Sequence, residues 1–137
     1  PTQYEFIKED KLILDVYSSN INILIKHIDN QNINSYVNFI QEQLFAANKY
    51  FNDQEPWKKK SDIKRLSTII YVSLELIRKI TILLYPIIPS TSLKVLKSFG
   101  IDEKNIDFYS IENHELLKKD SKISKISILF KKIDKND

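Results

Sequence analysis

The sequence predicts an all-α protein: an antiparallel helix bundle followed by a C-terminal extension. Its 137 residues include one glycine and four prolines, too few turn formers for a β-sandwich or barrel, whose tight hairpins need residues that tolerate positive φ. Apolar residues recur at gaps of three and four along most of residues 1–100, which is the spacing of one helical face. The many isoleucines would also suit strands, but a stripe sustained over about five turns is typical of helices.

Two apolar stripes predict the first two helices. The first stripe ends before the polar residues 29–32, and the second ends before Pro56, which cannot continue a helix. Each stripe needs a partner to bury it, so we expect the helices to pack together. The stripe residues are Leu14, Tyr17, Ile21, Ile25 and Ile28 in the first helix, and Val37, Ile40, Leu44, Ala47 and Phe51 in the second.

The third stripe is the clearest and the widest, as expected for the central helix of a bundle. Pro86 and Pro89 close this helix. A short fourth helix follows, with Ser90 or Thr91 as its N-cap and Gly100 as the left-handed residue after its end. The third stripe comprises Leu66, Ile70, Ser73, Ile77, Ile80 and Leu84, with Ile69, Leu74 and Leu83 beside them.

The apolar pattern weakens after residue 100. We therefore divide the chain into a helix bundle at residues 1–100 and a C-terminal extension at residues 101–137. In the extension Ile123, Ile126 and Phe130 could form either a last helical turn or an extended segment. Because the chain begins at Pro1 and contains no methionine, we expect it to be a piece of a longer protein.

Composition excludes several kinds of site. Cysteine is absent, which excludes disulfides, thiolate catalysis and cysteine zinc sites. No secretory signal opens the chain, and its most apolar region, residues 66–88, is interrupted by Glu75, Arg78 and Lys79. We therefore expect a cytoplasmic protein without a membrane partner. A net charge of +3 permits nucleic-acid or acidic partners without demonstrating them.

No pattern indicates a catalytic or metal site, and we predict that this chain has neither. It has no Gly-rich phosphate loop, no Ser/His/Asp order and no cluster with metal-ligand spacing. His114 is interpreted as a surface histidine. Two carboxylate pairs are expected on solvated helix faces or as helix caps: Asp10 with Asp15, and Asp102 with Glu103.

The lone tryptophan, Trp57, follows Pro56 and precedes three lysines at 58–60. Since proline ends the preceding helix and restricts Glu55, the tryptophan leaves the scaffold from a fixed point. Its ring could stack on an unpaired nucleic-acid base while the lysines attract phosphates. Composition alone favours the opposite interpretation, in which Trp57 packs back over the end of the bundle, because large aromatic residues are mostly buried.

The segment FAANKYFNDQEPWKKK at 45–60 resembles a signature of methionyl-tRNA synthetases, in which a helix leads through an acidic linker to Pro-Trp and a basic residue. LLYPIIPSTSLKVLKSFG at 83–100 and ILFKKID at 128–134 are similar to later elements of that family, with Lys131 in place of the usual proline. The resemblance covers about residues 10–134. It implies the anticodon-binding helix bundle of a class I synthetase.

The resemblance implies that Trp57 packs against an anticodon base of methionine tRNA, which reverses the interpretation from composition alone. It also implies two groups of neighbouring residues. Asp53, Lys58 and Lys59 would lie near the anticodon, and Asn48, Tyr50 and Pro56 would shape the corner.

Parts of the family's pattern are absent from this chain. The other main anticodon-reading positions, an asparagine and an arginine one turn apart, lie on a helix upstream of the region matched by Pro1, so the bundle is expected to lack its first helix. The catalytic domain is also absent; ATP, and any zinc, belong to it in the parent enzyme, which joins methionine to its tRNA. The expected partners are the anticodon loop of methionine tRNA and that catalytic domain, with no cofactor in this chain.

Two alternatives remain open at this point. The chain could be the bundle of another class I synthetase, such as the leucine, isoleucine, valine or cysteine enzyme, although the spacing from Asn48 to Trp57 favours the methionine enzyme. It could also be a helical protein-interaction module with no RNA role, in which Trp57 is an interface anchor.

Overall fold

The computed structural model of the protein describes residues 4–101, and this part of the chain is a helical bundle. No strand occurs in it, so the predicted all-α class is confirmed. Within the same residues, no helix combines the length and apolar character needed to cross a membrane. The elements are α1 (Lys8–Asp29), α2 (Ile33–Gln54), a short 3-10 helix (Pro56–Lys58), α3 (Ile63–Leu84) and α4 (Pro89–Ser98).

The chain divides into two compact units, Pro1–Ile80 and Thr81–Asp137. The first unit holds α1, α2 and most of α3. Helices α1 and α2 are in contact, and only residues 30–32 separate them, so they form an antiparallel pair. The described part of the second unit comprises the end of α3, helix α4 and its C-terminal cap. The predicted extension at 101–137 stays a prediction, since residues 102–137 lie outside the described part.

The buried face of α2 differs from the predicted one. Its most buried residues are Tyr36, Ile40, Gln43 and Tyr50, whereas the predicted Leu44 and Phe51 are 44% and 41% exposed. Two tyrosines and a glutamine therefore occupy positions that a count of aliphatic residues assigns to the surface. The match is closer in α1, where the buried residues are Leu14, Tyr17, Ile21 and Leu24, together with Asp10.

Helix α3 buries three charged residues that interrupt its apolar sequence. Glu75, Arg78 and Lys79 are all fully buried. Arg78 Nη2 lies 2.7 Å from Glu75 Oε2, and the Lys79 ammonium lies 5.9 Å from the centroid of the Tyr17 ring. Charged groups can remain inside a protein when an opposite charge or an aromatic face stabilises them. The apolar residues buried on this helix are Ile69, Val72, Leu76, Ile80, Ile82 and Leu83.

The N-cap of helix α4 lies two or three residues before the predicted one. Its N-cap is Ile88 and Pro89 lies in the first turn, so the assignment of Ser90 or Thr91 as the cap was wrong. Proline suits this place because its φ is already helical and its missing N–H would have no helical acceptor.

The predicted C-terminal cap of α4 is confirmed. Gly100 has φ 75°, its N–H donates to the Lys97 carbonyl at 2.9 Å, and the Ile101 N–H donates to the Leu96 carbonyl at 3.1 Å. This pair of bonds is the Schellman motif. Leu96 and Ile101, the two positions whose apolar contact often accompanies this motif, are both buried.

A buried ion pair joins the start of α1 to the start of α3. Arg65 Nη1 and Nη2 lie 2.6 and 3.0 Å from the two carboxylate oxygens of Asp10, and Asp10 is fully buried. Tyr50, near the end of α2, donates its hydroxyl to Asp10 at 2.6 Å, and the Ile7 N–H donates to it at 2.9 Å. Asp10 thus caps α1, which is one of the two predicted settings, and it does so as a buried residue and not on a solvated face.

The pKa of Asp10 reflects these contacts. Burial alone would raise this pKa, but the hydrogen bonds from Arg65, Tyr50 and the Ile7 N–H outweigh it and hold the pKa below its usual value. The Asp10 carboxylate in turn raises the pKa of Arg65. Both groups therefore stay charged at neutral pH.

Replacing Gly100 by alanine should destabilise the protein by about 1 kcal/mol, since an L-residue is strained at φ 75°. A Cβ at this position meets no atom within 4 Å, so the cost comes from the backbone alone. Urea unfolding measures the change. Lys97→Ala, an exposed substitution inside the same helix, serves as the control and should change stability little. Equal stability of Gly100→Ala and the parent would contradict the strain.

Replacing Asp10 by asparagine should destabilise the protein by about 3 kcal/mol at pH 7, because it leaves the Arg65 charge buried without a counter-charge. Asp15→Asn, an exposed change on the same helix, is the matched control.

The pH dependence of stability gives a second measure of the pair. An aspartate with a depressed folded pKa contributes stability that is complete above its unfolded pKa of about 4 and is lost as pH falls through its folded value. Urea unfolding between pH 3 and 7 should show a weaker acid loss in Asp10→Asn than in the parent. If the free energies of unfolding of the two proteins fell in parallel as the pH is lowered, Asp10 would not be the source of the acid loss.

Candidate nucleic-acid interface at the Pro56-Trp57 corner

The chain makes a sharp turn between α2 and α3. Helix α2 ends at Gln54, Glu55 adopts the left-handed conformation with φ 47° and ψ 60°, and Pro56 starts the 3-10 helix. Backbone bonds close the turn: the Lys58 N–H donates to the Glu55 carbonyl at 2.9 Å and the Lys59 N–H to the Pro56 carbonyl at 3.0 Å. A left-handed residue other than glycine is unfavourable, and the position before a proline normally prefers extended backbone. We call residues 55–64 the corner segment.

Trp57 projects from this turn with much of its ring accessible. The residue is 51% exposed, and its neighbour Phe51 is 41% exposed. The two ring centroids lie 6.2 Å apart, with the planes inclined at 58°. The tryptophan is therefore not enclosed in the core. Composition alone had favoured an enclosed position. Its ring and Phe51 form an exposed aromatic patch beside the buried Pro56.

Charged side chains surround the patch. Lys58 and Lys60 are exposed and Lys59 is half-buried. Lys58 Nζ lies 3.1 Å from Glu55 Oε1, and Lys49 forms an exposed ion pair with Asp53 on the last turns of α2. Exposed pairs of this kind contribute little stability, so these side chains can reorient toward a ligand at small cost.

The three residues predicted to shape the corner have different settings. Pro56 is buried at the turn itself. Tyr50 is buried one turn before it, and burial, followed by the hydrogen bond to Asp10, raises the pKa of its hydroxyl, which stays a neutral donor. Asn48 is exposed on α2, about two turns before the corner. The roles assigned to these residues stay predictions.

The sequence analysis did not identify two residues that flank the corner, Gln54 and Arg65. Arg65 Nη2 donates to Gln54 Oε1 at 2.7 Å, and Arg65 Nη1 donates to the Glu5 carbonyl at 3.0 Å. One signal was available: Arg65 is one of two arginines in a lysine-rich chain, and arginine is preferred where a planar fork must bind a carboxylate.

Within residues 4–101, no group of three or more His, Asp or Glu side chains could hold a metal ion. The predictions for His114, for Asp102 with Glu103, and for the apolar residues Ile123, Ile126 and Phe130 lie outside the described residues.

The whole chain, residues 1–137, matches the family model described as the anticodon binding domain of methionyl tRNA ligase. The methionine–tRNA ligase of Thermotoga maritima is 35% identical over 112 residues, which cover 80% of this chain and 18% of that protein. The corresponding ligase of Picrophilus torridus is 33% identical over 132 residues, 93% of this chain and 18% of that protein. That of Rickettsia typhi is 29% identical over 133 residues, 96% of this chain and 24% of that protein.

The chain thus spans about a fifth of the length of these relatives. The family model and all three relatives carry the description of the methionine enzyme, so neither the bundle of another class I synthetase nor a protein-interaction module is favoured. The match over the full length of the chain confirms the resemblance carried by residues 45–60: the chain belongs to the methionyl-tRNA ligase family, as its anticodon-binding domain.

Proposed function

We propose that this chain recognises the anticodon of methionine tRNA, with the ring of Trp57 as the stacking surface for an anticodon base. The observation that carries the proposal is the exposure of an indole at a proline-stopped turn, beside three lysines. An unpaired base that stacks on an aromatic ring gains about 1 to 3 kcal/mol. Because buried residues hold the turn, little conformational freedom is lost on binding.

The neighbouring charges supply the rest of the proposed interface. Lys58 and Lys59 attract the phosphates that accompany the bases, and Lys58 gives up only an exposed pair with Glu55 to do so. The carboxylate of Asp53 can accept a hydrogen bond from a base amino group. Trp57 therefore binds the ring of a base, while the lysines hold the backbone that carries it.

The proposal extends to the longer protein. By analogy with the relatives, a catalytic domain outside this chain would join methionine to its tRNA with ATP, in the cytoplasm. This chain would select the tRNA and would carry out no chemical step. Its second partner, after the tRNA, would be that catalytic domain.

Trp57→Ala should weaken binding of the methionine-tRNA anticodon stem-loop to the full-length protein at least fivefold, because it removes the stacking surface. The free energy of unfolding should fall by only about 1 to 3 kcal/mol, so the protein stays folded, since half of the residue is already in water. Filter binding and urea unfolding measure the two quantities.

Ile23→Ala is the matched control for this substitution, because Ile23 is 52% exposed and lies on the distant half of α1. An unchanged affinity of Trp57→Ala, or a collapse of its thermal stability, would contradict the stacking role.

The Lys58→Gln, Lys59→Gln double variant should bind less tightly at low salt and show a shallower salt dependence. The slope of log K against log salt concentration should fall by about 0.7 for each phosphate that the variant no longer neutralises. The ratio of affinities for cognate and non-cognate anticodons should be retained, because phosphate contacts carry no sequence information. Lys26→Gln, at the other end of α1, is the control. A slope equal to that of the parent would show that these lysines do not contact phosphate.

A further inference from the structure

One side-chain hydrogen bond joins the two residues that flank the corner segment. Gln54 is the last residue of α2, and Arg65 lies in the first turn of α3. Arg65 Nη2 donates to Gln54 Oε1 at 2.7 Å. All of residues 55–64, including Trp57, lie between these two points, so the bond closes the base of the projecting segment.

Arg65 is itself held in one position. Its guanidinium makes the two bonds to Asp10 and one to the Glu5 carbonyl, and its backbone N–H donates to Asp62 Oδ1 at 3.1 Å. The side chain is 8% exposed. Since the guanidinium cannot turn without breaking these contacts, the donor that faces Gln54 points in a fixed direction.

Apart from the backbone bonds that close the turn and the Asp62 side chain, which accepts from the Arg65 N–H, few contacts restrain the corner segment. Pro56 is its one buried residue, and the ion pair between Lys58 and Glu55 is exposed. Glu55 is left-handed, a conformation that persists only where the surrounding structure enforces it. The last turn of a helix also lacks part of its hydrogen bonding, so without a side-chain anchor the end of α2 can fray and change the turn.

We propose that Gln54 and Arg65 are positioning residues, and that their hydrogen bond fixes the direction in which Trp57 presents its ring. This inference rests on the proposed anticodon-binding function and assigns to it two residues that need not touch the RNA. It explains why the segment can be exposed at most of its positions and still hold a large aromatic ring ready for a base.

The test is Gln54→Ala in the full-length protein. Affinity for the methionine-tRNA anticodon stem-loop should fall about fivefold. Gln54→Glu keeps an acceptor for Arg65 and should restore the affinity. Amide hydrogen exchange at Lys58 and Lys59, whose N–H groups close the turn, should become faster in Gln54→Ala and return to the parental rate in Gln54→Glu.

Two further variants separate positioning from general stability. Leu24→Ala truncates a side chain that is 1% exposed on the distant half of α1, away from every partner of Arg65; it should lower stability and leave affinity unchanged. In a double-mutant cycle, Gln54→Ala should add little to the loss caused by Trp57→Ala, because it acts through that ring.

The outcomes are distinct. If Gln54→Ala binds as tightly as the parent while Trp57→Ala binds more weakly, the positioning role is wrong and the proposed function stands. If neither variant weakens binding, the proposed function is wrong. If Leu24→Ala weakens binding as much as Gln54→Ala, or if the losses of Gln54→Ala and Trp57→Ala simply add, the effect is one of general stability and the positioning role is overturned.

Discussion

The arrangement of the Trp57 corner depends on the buried ion pair between Asp10 and Arg65. Two charges removed from water are costly, and their attraction compensates only when the geometry is good and the remaining hydrogen-bonding capacity is used. Here the Asp10 carboxylate accepts bonds from Arg65, Tyr50 and the Ile7 N–H. The guanidinium also reaches Glu5 and Gln54. One buried pair therefore connects the N-terminal segment with α1, α2 and α3.

Both arginines of the chain are used in this way. Arg65 and Arg78 are each buried in an ion pair with a carboxylate, while the lysines of the corner are exposed or half-buried. The difference follows from chemistry: the guanidinium is planar and offers several directed donors, whereas the ammonium is a compact and strongly hydrated charge. Arginine suits the fixed framework of the first unit, and lysine suits a surface that meets the mobile phosphates of an RNA loop.

The proposed interface combines a rigid base with an exposed surface. Pro56 and the bonds behind it restrain the turn, and Trp57 lies half in water beside Phe51. Exposing an indole forgoes the stability that its burial would give. A ring that is already fixed in its binding orientation loses little conformational freedom when a base stacks on it, so the affinity for RNA is higher. This gain in affinity offsets the lost stability. The strained Glu55 fits the same account, since unfavourable backbone conformations are concentrated at functional sites.

The sequence by itself determined the features that depend on near neighbours. The four helices, the end of α2 before Pro56 and the left-handed Gly100 all follow from spacing and from the backbone chemistry of proline and glycine. The signature at residues 45–60 also sufficed to indicate the family. Each of these signals acts within a few residues, so it can be read along the chain.

Only the tertiary structure decided which side chains are buried and what they contact. It placed Tyr36 and Tyr50 inside, left Leu44 and Phe51 partly exposed, and paired Asp10 with a residue 55 positions away. Composition and family resemblance gave opposite expectations for Trp57, and its exposure follows from how the corner sits on the packed helices. Burial and ion pairing depend on residues that are distant in the chain, and the hydropathy of neighbouring residues does not indicate which distant residues these are.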